Sequence, residues 1–268
     1  MGVSEGRVDA AAARVRELAR DYDPPSFDHV PDPNSALFLC AIDHRTGYRS
    51  RYLVAGEGPF AGSALLWAVA LEAARREAGL LTASRLREVS ADHVAEMLRV
   101  DGETVEDPGR RAALWRDLAA GLLRHHRGEA EALLASAESR LGGSEGLLAR
   151  LAPYEAYSDP LQKKSLLFAK ICERRGWFDV DDPECWEVCA DNILMRLALR
   201  SGLVSPGPLQ RVRAATRDAI KLVAERSDVV PPVLDDLLWE LGRDDPDLLG
   251  TAGGDVREPP RDPASSWY

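Results

Sequence analysis

Residues Asp159–Lys170 read DPLQKKSLLFAK, two lysines at the head of an otherwise apolar run. Taken as a helix with Pro160 in its first turn, the stretch puts Lys164 on one face with Phe168 and Ile171, at i+4 and i+7. Lys163 aligns instead with Leu167, Lys170 and Arg174, a face that grades into solvent. Lys164 is therefore the lysine aimed at a core. An amine in a semi-apolar pocket loses hydration, its pKa falls, and the neutral form becomes available as a nucleophile. Snorkelling, with the stem over the core and the charge in water, explains the same pattern without chemistry.

Two later stretches extend the reading. In CADNILMRLALRSGLV (Cys189–Val204), Ile193, Leu194, Leu197 and Ala198 form an apolar stripe, Gly202 is a natural stop, and Asp191 stands at the N-cap position. As a cap Asp191 needs no further role, but a fixed carboxylate is also what a developing sugar cation requires. In PPVLDDLLWELG (Pro231–Gly242), Asp235 and Trp239 fall one turn apart, a hydrogen-bond acceptor beside a flat apolar surface suited to gripping a nucleobase. A core tryptophan next to a surface aspartate gives the same spacing.

The order of these pieces resembles the helix-hairpin-helix DNA glycosylases, and among them the archaeal 8-oxoguanine DNA glycosylase type. The residues that carry it are KSLLFA at Lys164–Ala169, DNILMRLALRSGLV from Asp191, and LDDLLW at Leu234–Trp239. The resemblance implies Lys164 as Schiff-base nucleophile, Asp191 as its activating and cation-stabilising carboxylate, Phe168 and Trp239 sandwiching an extruded base, and Asp235 bonding the base edge. The N-terminal part is similar to the queuosine-salvage glycosylases, through FLCAIDH (Phe38–His44), the helical run Gly62–Arg99 and DPGRRAALWRDLAAGLL (Asp107–Leu123). That family's lysine and Ala-Asp segments again align on Lys164 and on Ala190–Asp191. Asp43 and His44 stand where it has asparagine and an aromatic. Asp43 and Trp67 are added to the expected base pocket; Phe38, Tyr48 and Trp186 read more simply as core.

Helical periodicity dominates the rest. Val8, Ala11, Ala12, Val15 and Leu18 share a stripe, and helical patterns run over 63–78, 82–87, 91–98, 108–124, 129–139, 144–151, 183–200, 208–226 and 232–241. ALFLCAIDHRTGYRSRYLV (Ala36–Val54) is the β-like region, two apolar runs around RTG, which fits a hairpin or a helix followed by a strand. The expectation is a mostly α, two-lobed glycosylase-like fold with a small β element near 36–54. Residues 1–150 form an N-terminal lobe, 151–243 a catalytic lobe, and the Pro-, Gly- and Asp-rich 244–268 a flexible tail.

The net charge of −10 argues against a broad basic surface, yet Arg196, Arg200, Arg211, Arg213, Arg217, Lys221 and Arg226 outnumber the acids between Asp191 and Arg226. Arg196 and Arg200, then Arg213, Arg217 and Lys221, are spaced as a ladder for phosphates, or as a solvated face. The four cysteines lack metal-ligand spacing and read as buried thiols. Adjacent His125 and His126 diverge on a helix, so no metal is expected, and no cofactor. The N-terminus lacks the apolar region of a signal peptide, and no apolar run reaches membrane-spanning length, so the chain reads as cytoplasmic.

Three functions follow in order. The first is a DNA glycosylase acting on DNA with a modified base, in repair or in defence against hypermodified phage DNA, with Schiff-base or lyase chemistry. The second is hydrolysis of a free modified nucleoside or nucleotide such as queuosine 5′-phosphate, without a duplex. The third is a non-catalytic helical binding module.

Overall fold

The computed structural model describes residues 5–254, 258–263 and 265–267. Twelve α-helices and one two-stranded sheet are found among them, so the fold is mostly α. The described residues fall into two units: those through Ser26 together with those of Glu184–Ser265, and Phe27–Pro183 with Ser266 and Trp267. The cuts lie at 26/27 and 183/184 rather than near 150. The first helix thus belongs with the last ones, and the Lys164 helix with the N-terminal part.

In the discontinuous unit, α1 (Glu5–Ala19) buries Val8, Ala11, Ala12 and Val15 of the stripe seen in the sequence and leaves Leu18 half-buried. In the middle unit, α2 (Pro33–Ile42) is opened by Asp32, whose Oδ1 accepts the Ser35 N–H at 2.9 Å, and by Pro33 in its first turn. Every α2 residue but Asn34 is buried. A helix apolar on all sides has neither a 3.6- nor a 2-residue signature, which is why its sequence reads equally as a strand.

Of the two readings of 36–54, a helix followed by a strand is the one found, and the strand's partner lies just beyond that stretch. The β element comprises β1 (Tyr52–Val54) and β2 (Glu57–Phe60), antiparallel with Tyr52 opposite Phe60 and Val54 opposite Glu57. Ala55 (φ +50°) and Gly56 (φ +87°) make the tight turn between them.

Seven helices complete this unit: α3 (Gly62–Arg76), α4 (Ala83–Leu86), α5 (Ala91–Met97), α6 (Pro108–His125), α7 (Ala130–Ser136), α8 (Leu147–Leu151) and α9 (Lys163–Arg174). Helix α2 is its axis, packed by α3, α6, α7 and α9. Helix α9 starts three residues after Pro160. Gln162 takes a left-handed backbone (φ +57°), and Asp159 Oδ2 accepts the Lys163 N–H at 3.2 Å, so Asp159 makes the start. The helix is enclosed on nearly every side, Lys163 and Lys170 included, which removes the solvent-facing side expected for Lys163.

The discontinuous unit ends in α10 (Asn192–Ser201), α11 (Leu209–Ser227) and α12 (Pro231–Asp244), with α1 lying on α11 and α12. The stretch expected as one helix over 183–200 is a 3-10 turn at Pro183–Cys185, then an irregular segment, then α10. Part of the expected flexible tail is tied down. Asp247 accepts Arg200 Nε and Nη2, both at 2.6 Å, and the Gly253 N–H donates to Arg200 O at 2.8 Å. A Cβ at Gly253 would lie 1.7 Å from Leu199 O, so only glycine admits this approach. The 244–268 expectation also touches residues 255–257, 264 and 268, which lie outside the described residues.

Candidate functional site

A helix of ten residues leaves its last carbonyls without backbone partners. Carbonyls of α2, Ala41 O in its last turn and Leu37 O and Phe38 O one turn earlier, receive polar side chains from across the middle unit. Tyr157 donates its hydroxyl to Leu37 O at 2.6 Å, Trp115 Nε1 to Phe38 O at 2.7 Å, and Lys164 Nζ to Ala41 O at 2.6 Å. Lys163 Nζ lies 3.3 Å from Asp43 O and 3.5 Å from Asp43 Oδ2. A cation at a helix C-terminus meets its negative end, which accounts for where Lys163 goes.

Around Lys164 the cluster is dense. Its Nζ is 3.2 Å from His44 Nδ1, and the residue has no exposed surface. Asp43 Oδ1 also receives a short hydrogen bond from Ser63 Oγ, so the carboxylate is held from α3 and α9 at once. Arg111, itself 1% exposed, donates to Glu106 O, His44 O and Arg45 O and so fixes the main chain just past α2.

The electrostatics follow from burial among cations. Desolvation first, then the neighbouring Lys163 and Arg111, press the Lys164 pKa well below the ordinary lysine value, with Asp43 opposing. Desolvation, with Lys164 and Arg111 beside it, drives His44 far below its usual range, so its ring is neutral. Arg111 is lowered to about 10, chiefly by burial, and keeps its charge at neutral pH. The end of α2 thus holds an amine whose charge is disfavoured, a neutral imidazole against it, and a paired carboxylate one residue away. Such an amine can attack an electrophilic carbon.

In the other unit Asp191 caps α10, its Oδ1 accepting the Ile193 N–H at 2.8 Å and the Leu194 N–H at 3.0 Å. These N–H groups and the positive end of the helix complement a carboxylate charge.

The structure brings Lys164 and Asp43 together and adds Lys163, His44, Ser63 and Arg111, which the sequence reading did not name as site residues. Their signals were weak: a second lysine, an Asp-His pair ending an apolar run, and Ser63 one turn before Trp67. Trp67 is 8% exposed on α3, and Phe168 is fully enclosed on α9 with no face open for stacking. Asp191, Asp235 and Trp239 lie in the discontinuous unit, whereas Lys164, Phe168, Asp43 and Trp67 lie in the middle one.

Two expected roles are corrected. Asp235 is not an open acceptor for a base edge: it is 5% exposed and its Oδ1 takes the Cys189 N–H at 2.7 Å. Trp239 is half-buried, with the Arg243 guanidinium 5.1 Å over its ring. The phosphate ladder is engaged within the protein. Arg196 donates to Gly242 O, Arg200 pairs with Asp247, Arg217 meets Asp218 Oδ1 at 3.5 Å, and Lys221 pairs with Glu187 Oε1 at 2.7 Å. Arg213 is wholly enclosed, with Nε toward Ala190 O. Side chains on one sequence-level face met carbonyls and carboxylates of their own unit first.

Elsewhere, the N-terminal end of α2 opens on a hollow of about 480 Å³, walled in part by His29, Leu71 and Arg75 and by an Asn34–Glu129 hydrogen bond. Among the described residues no three His, Cys, Asp or Glu side chains gather as a metal-binding group, and no helix is long and apolar enough to cross a membrane.

Cys40 and Cys172 are buried and their thiols are pushed up mainly by desolvation, so neither presents a thiolate. In the native chain iodoacetamide is expected to reach the partly exposed Cys185 and to leave Cys40 and Cys172 unmodified until the protein unfolds, as mass mapping would show. No protein-family model matches the chain, and no curated protein matches it.

Proposed function

We propose that the chain is an N-glycosylase that releases a modified nucleobase, with Lys164 as nucleophile and, on the resemblance of its sequence alone, Asp191 as the stabilising carboxylate. The observation that carries this reading is the enclosed Lys164 amine, its charge disfavoured by burial and by Lys163, beside the neutral ring of His44. The Lys164 nitrogen forms a bond to C1′ as the bond from C1′ to the base breaks, and the bonding pair leaves with the base. The departing base takes up one proton from that nitrogen, the second passes to the ring oxygen as the sugar opens to a Schiff base, and water hydrolyses the imine to return the amine. Charge build-up at C1′ is what a fixed carboxylate offsets.

Of the two substrates, DNA with a modified base and a free modified nucleotide, the second has the more specific support. The cations spaced for phosphates are paired within the protein, and the net charge is −10. Duplex binding needs unpaired cations that displace counterions.

The test is base release, read by mass spectrometry, from free modified nucleosides and nucleotides and from DNA containing the same bases, with borohydride added to trap the imine. Release from a free nucleotide that changes by less than about threefold between 50 and 200 mM salt supports the smaller substrate. Release confined to DNA, falling steeply over that range, returns the polymer. No release from any substrate, with any ligand binding retained in Lys164→Ala and Asp191→Asn, makes the chain a binding module.

A further inference from the structure

The segment between the 3-10 turn at Pro183–Cys185 and α10 delivers Asp191, and it has no regular structure of its own. Its backbone groups need partners nonetheless, because Val188 and Ala190 are fully buried and Trp186 and Cys189 nearly so. Two charged side chains from later helices supply them. Asp235, on α12, accepts the Cys189 N–H at 2.7 Å, and Arg213, on α11, points Nε at Ala190 O across 3.4 Å. Both are almost without solvent contact, at 5% and 0% exposure. A carboxylate and a guanidinium withdrawn this far from water pay a large desolvation penalty, which hydrogen bonds to fixed partners must offset. Their bonds fall on the two residues immediately before Asp191, and Asp191 is bound on its other side by the first turn of α10.

We propose that Asp235 and Arg213 are positioning residues that clamp the 186–191 segment from α12 and α11 and so fix where the Asp191 carboxylate stands. The inference rests on the glycosylase reading for the importance of Asp191, but the clamp itself is a matter of the discontinuous unit alone. It assigns Asp235 a different task from gripping a base and Arg213 a different task from holding a phosphate. Displacing a reacting group by about 1 Å costs on the order of 10²-fold in rate, so a clamp of this kind acts on turnover rather than on substrate affinity.

The full-length chain carrying Asp235→Ala, Asp235→Asn or Arg213→Gln tests this by two measurements. In base release, Asp235→Ala and Arg213→Gln are expected to lower kcat by about 30- to 100-fold with KM within about twofold. Asp235→Asn keeps an oxygen for the Cys189 N–H and is expected to stay within about fivefold of the parent, the neutral acceptor being roughly half as strong. In hydrogen exchange, amides of 186–194 are expected to exchange about tenfold faster in Asp235→Ala and to remain protected in Asp235→Asn. A KM raised tenfold or more with kcat unchanged, not rescued by asparagine, would mean that Asp235 holds substrate and would overturn the clamp. Unchanged exchange in both Asp235→Ala and Arg213→Gln overturns it too. If the parent chain releases no base from any substrate, the glycosylase reading falls, while the exchange result still decides whether the segment is clamped.

Discussion

Lys164→Ala is expected to lower base release by at least about 10³-fold and to abolish borohydride-trapped adduct, because the nucleophile is gone and water must attack unaided. A companion measurement needs no substrate. With its pKa held well below 10.5 in the folded chain, Lys164 binds fewer protons folded than unfolded throughout the interval between the lowered value and 10.5. Stability contributed through this group therefore rises as pH climbs across that interval, and is flat once pH exceeds 10.5. Lys164→Met keeps the stem and removes the titration. The stability of the parent chain should consequently gain on that of Lys164→Met as pH is raised from 7 to 10 in urea melts. A difference independent of pH would place a permanently charged ammonium in the cluster and deny the amine its nucleophilic form.

The second large effect belongs to Arg111. Its guanidinium serves the carbonyls of Glu106, His44 and Arg45 with almost no exposure, so Arg111→Met leaves those acceptors without a charged donor. Bonds from charged donors contribute roughly 1.5–3 kcal/mol each, and relief of the guanidinium's own burial returns part of that, so a loss of about 3 kcal/mol is expected. Urea denaturation would show it as a lower midpoint with an unchanged slope. Arg111→Lys restores charge but cannot span three divergent carbonyls, and should recover less than half. A change below about 0.5 kcal/mol for Arg111→Met would mean that the turn after α2 holds its shape without the fork.

What could be read in advance divides along physical lines. Stripes such as Val8–Ala11–Ala12–Val15 are local in sequence, and so is the proline start of α6 at Pro108, whereas the Asp32–Pro33 start of α2 was hidden among neighbouring prolines. Ala36–Ile42 was ambiguous because burial on all sides erases periodicity. The 186–191 segment resembled a helix because Trp186 and Val188 are apolar and buried, yet what satisfies its backbone is Asp235 and Arg213, far off in the chain. Lys164 was legible as a cation on an apolar face. Lys163 was misjudged for the same non-local reason, since its partner Asp43 arrives from the end of another helix. His44 and Arg111 carry no spacing signal: their roles exist only once α2 stops where it does.

Helix α1 lies on α11 and α12 within a unit interrupted by Phe27–Pro183. On the ribosome, the opening helix must therefore wait, its apolar stripe unsatisfied, while the entire intervening segment emerges and folds. Contacts between such distant stretches form late and slowly. The unit that holds Asp191 is thus completed only when α10–α12, made after the segment that carries the lysine cluster, meet the helix that preceded it.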